Sequence, residues 1–250
     1  MKLTARHRPR QLADLVGQPQ ARHRLRQYAG NPYPTALLFS GPTGVGKSSA
    51  ALALAHELRA VDVGSLHVVE SARADVEAID WIASQFRFCP LGAWRVVIFE
   101  EADTMTARAS DLCLTLLEQI PSKTTVILTT NNLDYFAKRQ RFLDRLDHVP
   151  FTADPTAIVE AHQLAARIWA QEAPDQPLPD LAHLHSHWII SGQISFRRVV
   201  ESLQPFLDST RPLPSFNLDA GRASAPRDLL GQPLPKPRGR RLTCADVVIR

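Results

Sequence analysis

The stretch Gly41-Pro42-Thr43-Gly44-Val45-Gly46-Lys47-Ser48 fits the pattern G-x-x-x-x-G-K-[ST], and both of its flanks are the ones that pattern needs. Ahead of it lies TALLFS (35–40), an apolar run of strand length. Behind it, from Lys47 to Leu58, apolar residues recur at helical spacing. A strand, a glycine loop and a helix in that order build a phosphate cradle, or Walker A loop. Gly41, Gly44 and Gly46 let the backbone curl with its N–H groups pointing inward. The helix N-terminus adds partial positive charge at the same place. Lys47 then reaches the β- and γ-phosphates, and the Ser48 hydroxyl ligates the metal. Pro42, Thr43, Val45 and Ser49 complete the loop. The reading calls for ATP and Mg²⁺.

Outward from the loop, LHVVE (66–70), WRVVIF (94–99) and TTVILT (124–129) are further strand candidates. Each is rich in β-branched residues and followed by a helical stretch. Strands alternating with helices imply a parallel sheet covered on both faces. Residues 1–152 therefore read as one α/β domain. After Phe151 the pattern changes. Pro155 stands at a helix start, and 156–171, 178–190 and 194–207 read as helices with no strand between them. Residues 153–207 are expected to form a small all-helical domain. From 208 to 250 the chain turns Pro-rich and basic, and an irregular tail is expected there.

The third strand candidate ends in Glu100-Glu101-Ala102-Asp103. In P-loop ATPases, whose loop this one resembles, acidic residues at the end of such a strand serve metal and water. The first orients the Mg²⁺ shell, and the next polarises the attacking water. Glu100 is assigned to the metal and Glu101 to the water. Glu100 is one methylene longer than the aspartate usual at this place, so hydrolysis rate is more exposed to the difference than binding.

Composition narrows the class. No apolar run approaches the ~20 residues of a membrane-spanning helix, and the basic start MKLTARHRPR has no apolar segment behind it. No signal peptide and a cytoplasmic location are expected. Cys89, Cys113 and Cys244 are scattered and odd in number, as reduced thiols are. No CxxC pair is present to hold structural zinc. His183, His185 and His187 alternate, but they lie in a helical context, where ordinary packing is the expected role. Ile79 and Trp81 are expected to face the core from an amphipathic helix. Basic residues crowd the first 26 positions and the segment KPRGRR (236–241), which fits a polyanion partner or a solvated surface.

In order over roughly residues 5–207, these motifs resemble the clamp-loader small subunits of the AAA+ ATPases, meaning replication factor C and its bacterial and phage relatives. Arg8-Pro9 followed by Asp14-Leu15-Val16-Gly17-Gln18 resembles the family's "RP…DLVGQ". Glu101-Ala102-Asp103-Thr104-Met105-Thr106 resembles "DEADSMT", and the helix carrying Leu116-Leu117-Glu118 resembles "LLKTLEE". The resemblance implies a P-loop NTPase fold: a five-stranded parallel sheet with flanking helices, then a helical lid. It implies nucleotide contacts from Arg8, Pro9 and Val16. By the same match Asn131, in Thr129-Thr130-Asn131-Asn132, would be sensor 1 at the γ-phosphate. Arg197, in Ser195-Phe196-Arg197-Arg198, would be sensor 2.

Asp144-Arg145-Leu146 stands where the family has Ser-Arg-Cys. Arg145 would be the finger that completes a neighbour's site, with Arg141 or a plain surface arginine as alternatives. The implied partners are other AAA+ subunits, DNA and a sliding clamp, with no membrane. Arg73 and Arg108 would be DNA-facing candidates. A Pro-rich tail stands in place of the family's helical collar, so the assembly is open to difference. Two rivals also remain, the first because the phosphate loop alone fits other branches and the second because Glu100 replaces the usual aspartate. One is another AAA+ branch, of the Holliday-junction, recombination or mobile-element kind. The other is a weakly hydrolysing scaffold subunit.

Overall fold

The computed structural model describes residues 2–60, 64–73, 76–90 and 93–210. Along the chain come α1 (Leu3–Arg6), α2 (Pro19–Gly30), β1 (Thr35–Ser40), α3 (Lys47–Glu57), β2 (Leu66–Glu70), α4 (Val76–Gln85), β3 (Arg95–Glu100), α5 (Ala107–Leu117) and β4 (Thr124–Thr130). After these come α6 (Leu133–Ala137), α7 (Gln140–Leu143), β5 (Asp147–Pro150), α8 (Ile158–Glu172), α9 (His185–Trp188), β6 (Ile189–Ile190), β7 (Gln193–Ile194) and α10 (Phe196–Thr210). The first five strands form one sheet in the order β2-β3-β4-β1-β5. Every pairing in it is parallel. A parallel sheet needs cover on both faces, and the side-chain alternation supplies it. On β3, Val96 and Ile98 pack with Ala50 and Leu54 of α3. Val97 and Phe99 pack with Ile79 and Ile82 of α4 and with Cys113 and Leu116 of α5.

The expected α/β order is thus present, with strand β5 falling in a segment the periodicity did not mark. Asp147-His148-Val149-Pro150 is short and polar, and only Val149 is buried among its four residues. It joins the sheet as an edge, beside β1.

Two expectations about 153–207 are corrected. Residues 178–190 are not one helix. They hold a 3-10 turn at Ala182–Leu184 and a single helical turn, α9. A strand pair does lie between the helices. β6 and β7 form an antiparallel hairpin closed by Ser191-Gly192, with φ of 49° and 75°. Positive φ at both central residues is the two-residue hairpin turn that Gly-containing dipeptides favour, so the Ser-Gly pair overrode the helical pattern. Trp81 is the third correction. Ile79 is buried, but the Trp81 ring lies half exposed over His67, with 5.0 Å between centroids. The tail from 211 on, with Cys244 and KPRGRR, lies outside the described residues.

Candidate nucleotide-binding site

A cleft of about 430 Å³ opens at the C-terminal ends of the central strands, the place where parallel α/β sheets bind ligands. Its floor is the glycine loop. Gly41, Gly44 and Gly46 have φ of 146°, 83° and 107°. A side chain at Gly41 would meet the Phe151 carbonyl oxygen at 2.1 Å. One at Gly44 would meet Ser195 Oγ at 2.0 Å. Gly46 has open space beside it, so its backbone conformation alone demands glycine.

Lys47 is the first residue of α3 and only 7% exposed. Its ammonium donates to the carbonyls of Gly41 (2.6 Å) and Pro42 (2.7 Å) and to Asn131 Oδ1 (2.8 Å). Burial, aided by the charge of Arg197, pushes its pKa down to about 8, against the pull of Asp103 and Glu101. An ammonium held on neutral acceptors beside a cationic arginine is poised to take polyanionic oxygen.

Thr43, Val45, Ser48 and Ser49 also line the cleft, together with Glu101, Asn131 and Arg197. Arg197 is the second residue of α10, and its backbone N–H donates to the Gly44 carbonyl at 3.3 Å. The next arginine, Arg198, instead donates to the His187 carbonyl. Gly41 and Pro42 meet the site through their carbonyls, on Lys47. At the other end, Arg8, Pro9 and Val16 face Leu164, Phe196 and Val200 across the cleft, making an apolar slot suited to a base.

The two glutamates part company. Glu101 has φ 53° and ψ 50°, a left-handed conformation costing about 1 kcal/mol or more for a residue with a side chain, and it lines the cleft. Glu100 ends β3 on the face of Val96 and Ile98, and its carboxylate meets Arg8 at 3.9 Å. Ser48 and the carboxylates are hard oxygen donors, which suit Mg²⁺ beside a triphosphate. Arg145 lies away from the cleft, on Glu118 and the Arg141 carbonyl.

The sequence reading passed over three supports. Gln18, 4% exposed, donates to the Val45 carbonyl (3.3 Å) and accepts from Thr152 N–H (3.2 Å), tying the glycine loop to the end of β5. Gly17 (φ 69°) lies so close under Phe196 that a side chain there would meet the ring at 2.2 Å. Asp103 accepts from Thr130 Oγ1 at 2.7 Å, locking the acidic turn to the end of β4. The available signal was polar threonine closing an otherwise apolar strand. The alternating histidines form no metal cluster: among the described residues no group of three ligating side chains gathers. His185 contacts His162 and packs on Trp188.

Residues 37–152 match the model of the ATPase family associated with various cellular activities (AAA). Replication factor C small subunits are similar over about half of this chain. Those of Thermofilum pendens and Sulfurisphaera tokodaii are each 36% identical, over 132 and 134 residues, covering 50% and 51% of this chain and 40% and 41% of theirs. The one from Methanothermobacter thermautotrophicus is 34% identical over 131 residues, 50% of this chain and 40% of that protein. The chain thus spans about two fifths of the length of the curated relatives it matches. A DNA polymerase III gamma subunit-related protein of Thermotoga maritima shares the fold, with TM-score 0.52 and 15% identity over 77% of this chain and 62% of that one. Residues 37–152 are thus similar to the AAA ATPase family, with the fold to match. Over about half of its length the chain resembles the replication factor C small subunits.

Proposed function

We propose that the chain binds ATP·Mg²⁺ in this cleft and hydrolyses it as one subunit of an AAA+ assembly that works with DNA and a sliding clamp. The observation that carries the reading is the convergence of Lys47, Asn131, Glu101 and Arg197 on one cleft floored by the glycine loop. In this reading residues 1–152 act as the nucleotide-binding core and 153–207 as its lid.

Lys47 exchanges the Gly41 and Pro42 carbonyls for phosphate oxygens, which hold its ammonium charged. Glu101 orients a water for in-line attack on the γ-phosphorus and accepts its proton as the β–γ bridge breaks. Asn131 steadies that water or a γ-oxygen, and Arg197 meets the developing charge from the lid side. Ser48 and Glu100 would hold magnesium, which when bound neutralises phosphate charge. Arg145 would leave Glu118 to act as a finger in the next subunit's site.

A second reading, a nucleotide-dependent scaffold that hardly hydrolyses, is favoured by Glu100 resting on Arg8. Glu101→Gln separates the two. Catalysis predicts unchanged ATP affinity with turnover down about 10²-fold or more. Turnover indifferent to the change would select the scaffold. Stimulation of that turnover by primed DNA with a clamp tests the loader role, and its absence would remove that role.

A further inference from the structure

The chain spends backbone strain at Glu101, and the hydrogen bonds that hold it there come from two threonines. β3 runs extended through Glu100. Side chains alternate along it, Val96 and Ile98 toward α3, Val97 and Phe99 toward α4 and α5. One more extended residue would send the side chain at 101 toward the Val97 and Phe99 face, away from the glycine loop. The left-handed turn at Glu101 (φ 53°, ψ 50°) breaks that alternation, and the carboxylate lines the cleft instead. A glutamate stays in such a conformation only when its surroundings over-determine it. Here the Glu101 N–H donates to Thr129 Oγ1 at 3.1 Å. Its carbonyl accepts from the Thr104 N–H at 2.8 Å and from Thr104 Oγ1 at 2.7 Å. Thr129 is 2% exposed, on β4 two residues ahead of Asn131.

We propose that Thr129 and Thr104 are positioning residues that hold Glu101 in its left-handed turn, so that the water-orienting carboxylate and the Asn131 amide hang from the same strand end. Thr129 stands in the wall of the cleft and Thr104 outside its lining, and the hydrogen bonds of both go to the Glu101 backbone. They act through Glu101, and the proposal rests on the ATPase reading above.

The test is made on the full chain with Thr129→Val, Thr129→Ser and Thr104→Ala. Mg·ATP affinity is measured by calorimetry and turnover by phosphate release. Valine keeps the buried shape but offers no acceptor. It is expected to leave affinity within about twofold and to lower kcat about tenfold, the scale of one lost orienting contact. Serine restores the acceptor and should return kcat to within about twofold of wild type. Thr104→Ala, at an exposed site where folding is not at stake, is expected to lower kcat about threefold with affinity kept. If valine and alanine variants turn over like wild type, or if affinity and kcat fall together and serine rescues neither, the positioning role is overturned. A wild-type chain that binds no ATP, or binds it without turnover, removes the ATPase reading instead and this role with it.

Discussion

Lys47 concentrates the physical tension of the site. Its ammonium is buried, sits beside Arg197, and is satisfied by two loop carbonyls and the Asn131 amide. Its folded pKa of about 8 lies below the ordinary 10.5. Above pH 8 the folded chain therefore gives up a proton that the unfolded chain keeps. Stability of the nucleotide-free protein should then rise between those two values, contrary to the usual loss in alkali. Phosphate oxygens would restore the charge, so ATP binding just above pH 8 should take up a proton. Calorimetry in buffers of different ionisation enthalpy reads that uptake, and Lys47→Met should abolish it. Lys47, Ser48 and Glu101, which line one cleft, could be singled out in the sequence because a phosphate-loop pattern fixes their spacing. The threonine hold on Glu101 was not, because its geometry depends on a left-handed turn and on the register of β3 against β4.

Among the elements, the contact between glycine loop and α10 stands out. Two glycines, Gly17 and Gly44, leave room for Phe196 and Ser195 to come down onto the core. Gln18 spans from the loop to Thr152 beneath them. Gly17→Ala adds a methyl where the Phe196 ring lies and must push α10 outward. Gln18→Ala leaves the buried Val45 carbonyl and the part-buried Thr152 N–H without their amide, at about 1–3 kcal/mol. Both variants are expected to melt several degrees lower, by about 4 °C or more, and to bind ATP more weakly than wild type. A thermal melt paired with a nucleotide titration checks both. A melt that falls with affinity unchanged would separate this contact from binding. The long periodic elements, β1, α3, β4 and α8, were readable because period and burial agree. The hairpin at 189–194 and the edge strand β5 were not, being too short for a period to register. A Ser-Gly turn and main-chain pairing to β1 set them.

On the scale of the whole molecule, the N-terminal segment is fastened to the far end of α8. Glu172 receives His7 at 2.7 Å and Arg6 beside it. Burial pushes the Glu172 carboxyl up, but the His7 and Arg6 hydrogen bonds outweigh it and hold the group below its usual range. That contribution is present above the ordinary carboxylate pKa and lost as pH falls through the lowered one. Glu172→Gln should accordingly flatten the acid side of the melting-temperature profile.

Assembly, as proposed above, is open to direct measurement. Light scattering with ATP, with and without primed DNA, would separate a single chain from a mixed pentamer-like complex or a hexamer. All of these roles hang on one premise, that residues 41–48 hold a triphosphate. Its most direct test is a calorimetric titration of Mg·ATP into the full chain and into Lys47→Ala. The account predicts saturable one-to-one binding for wild type, weakened at least about a hundredfold by losing the charged partner. Wild type that binds no ATP, or a variant that binds as well as wild type, would contradict it.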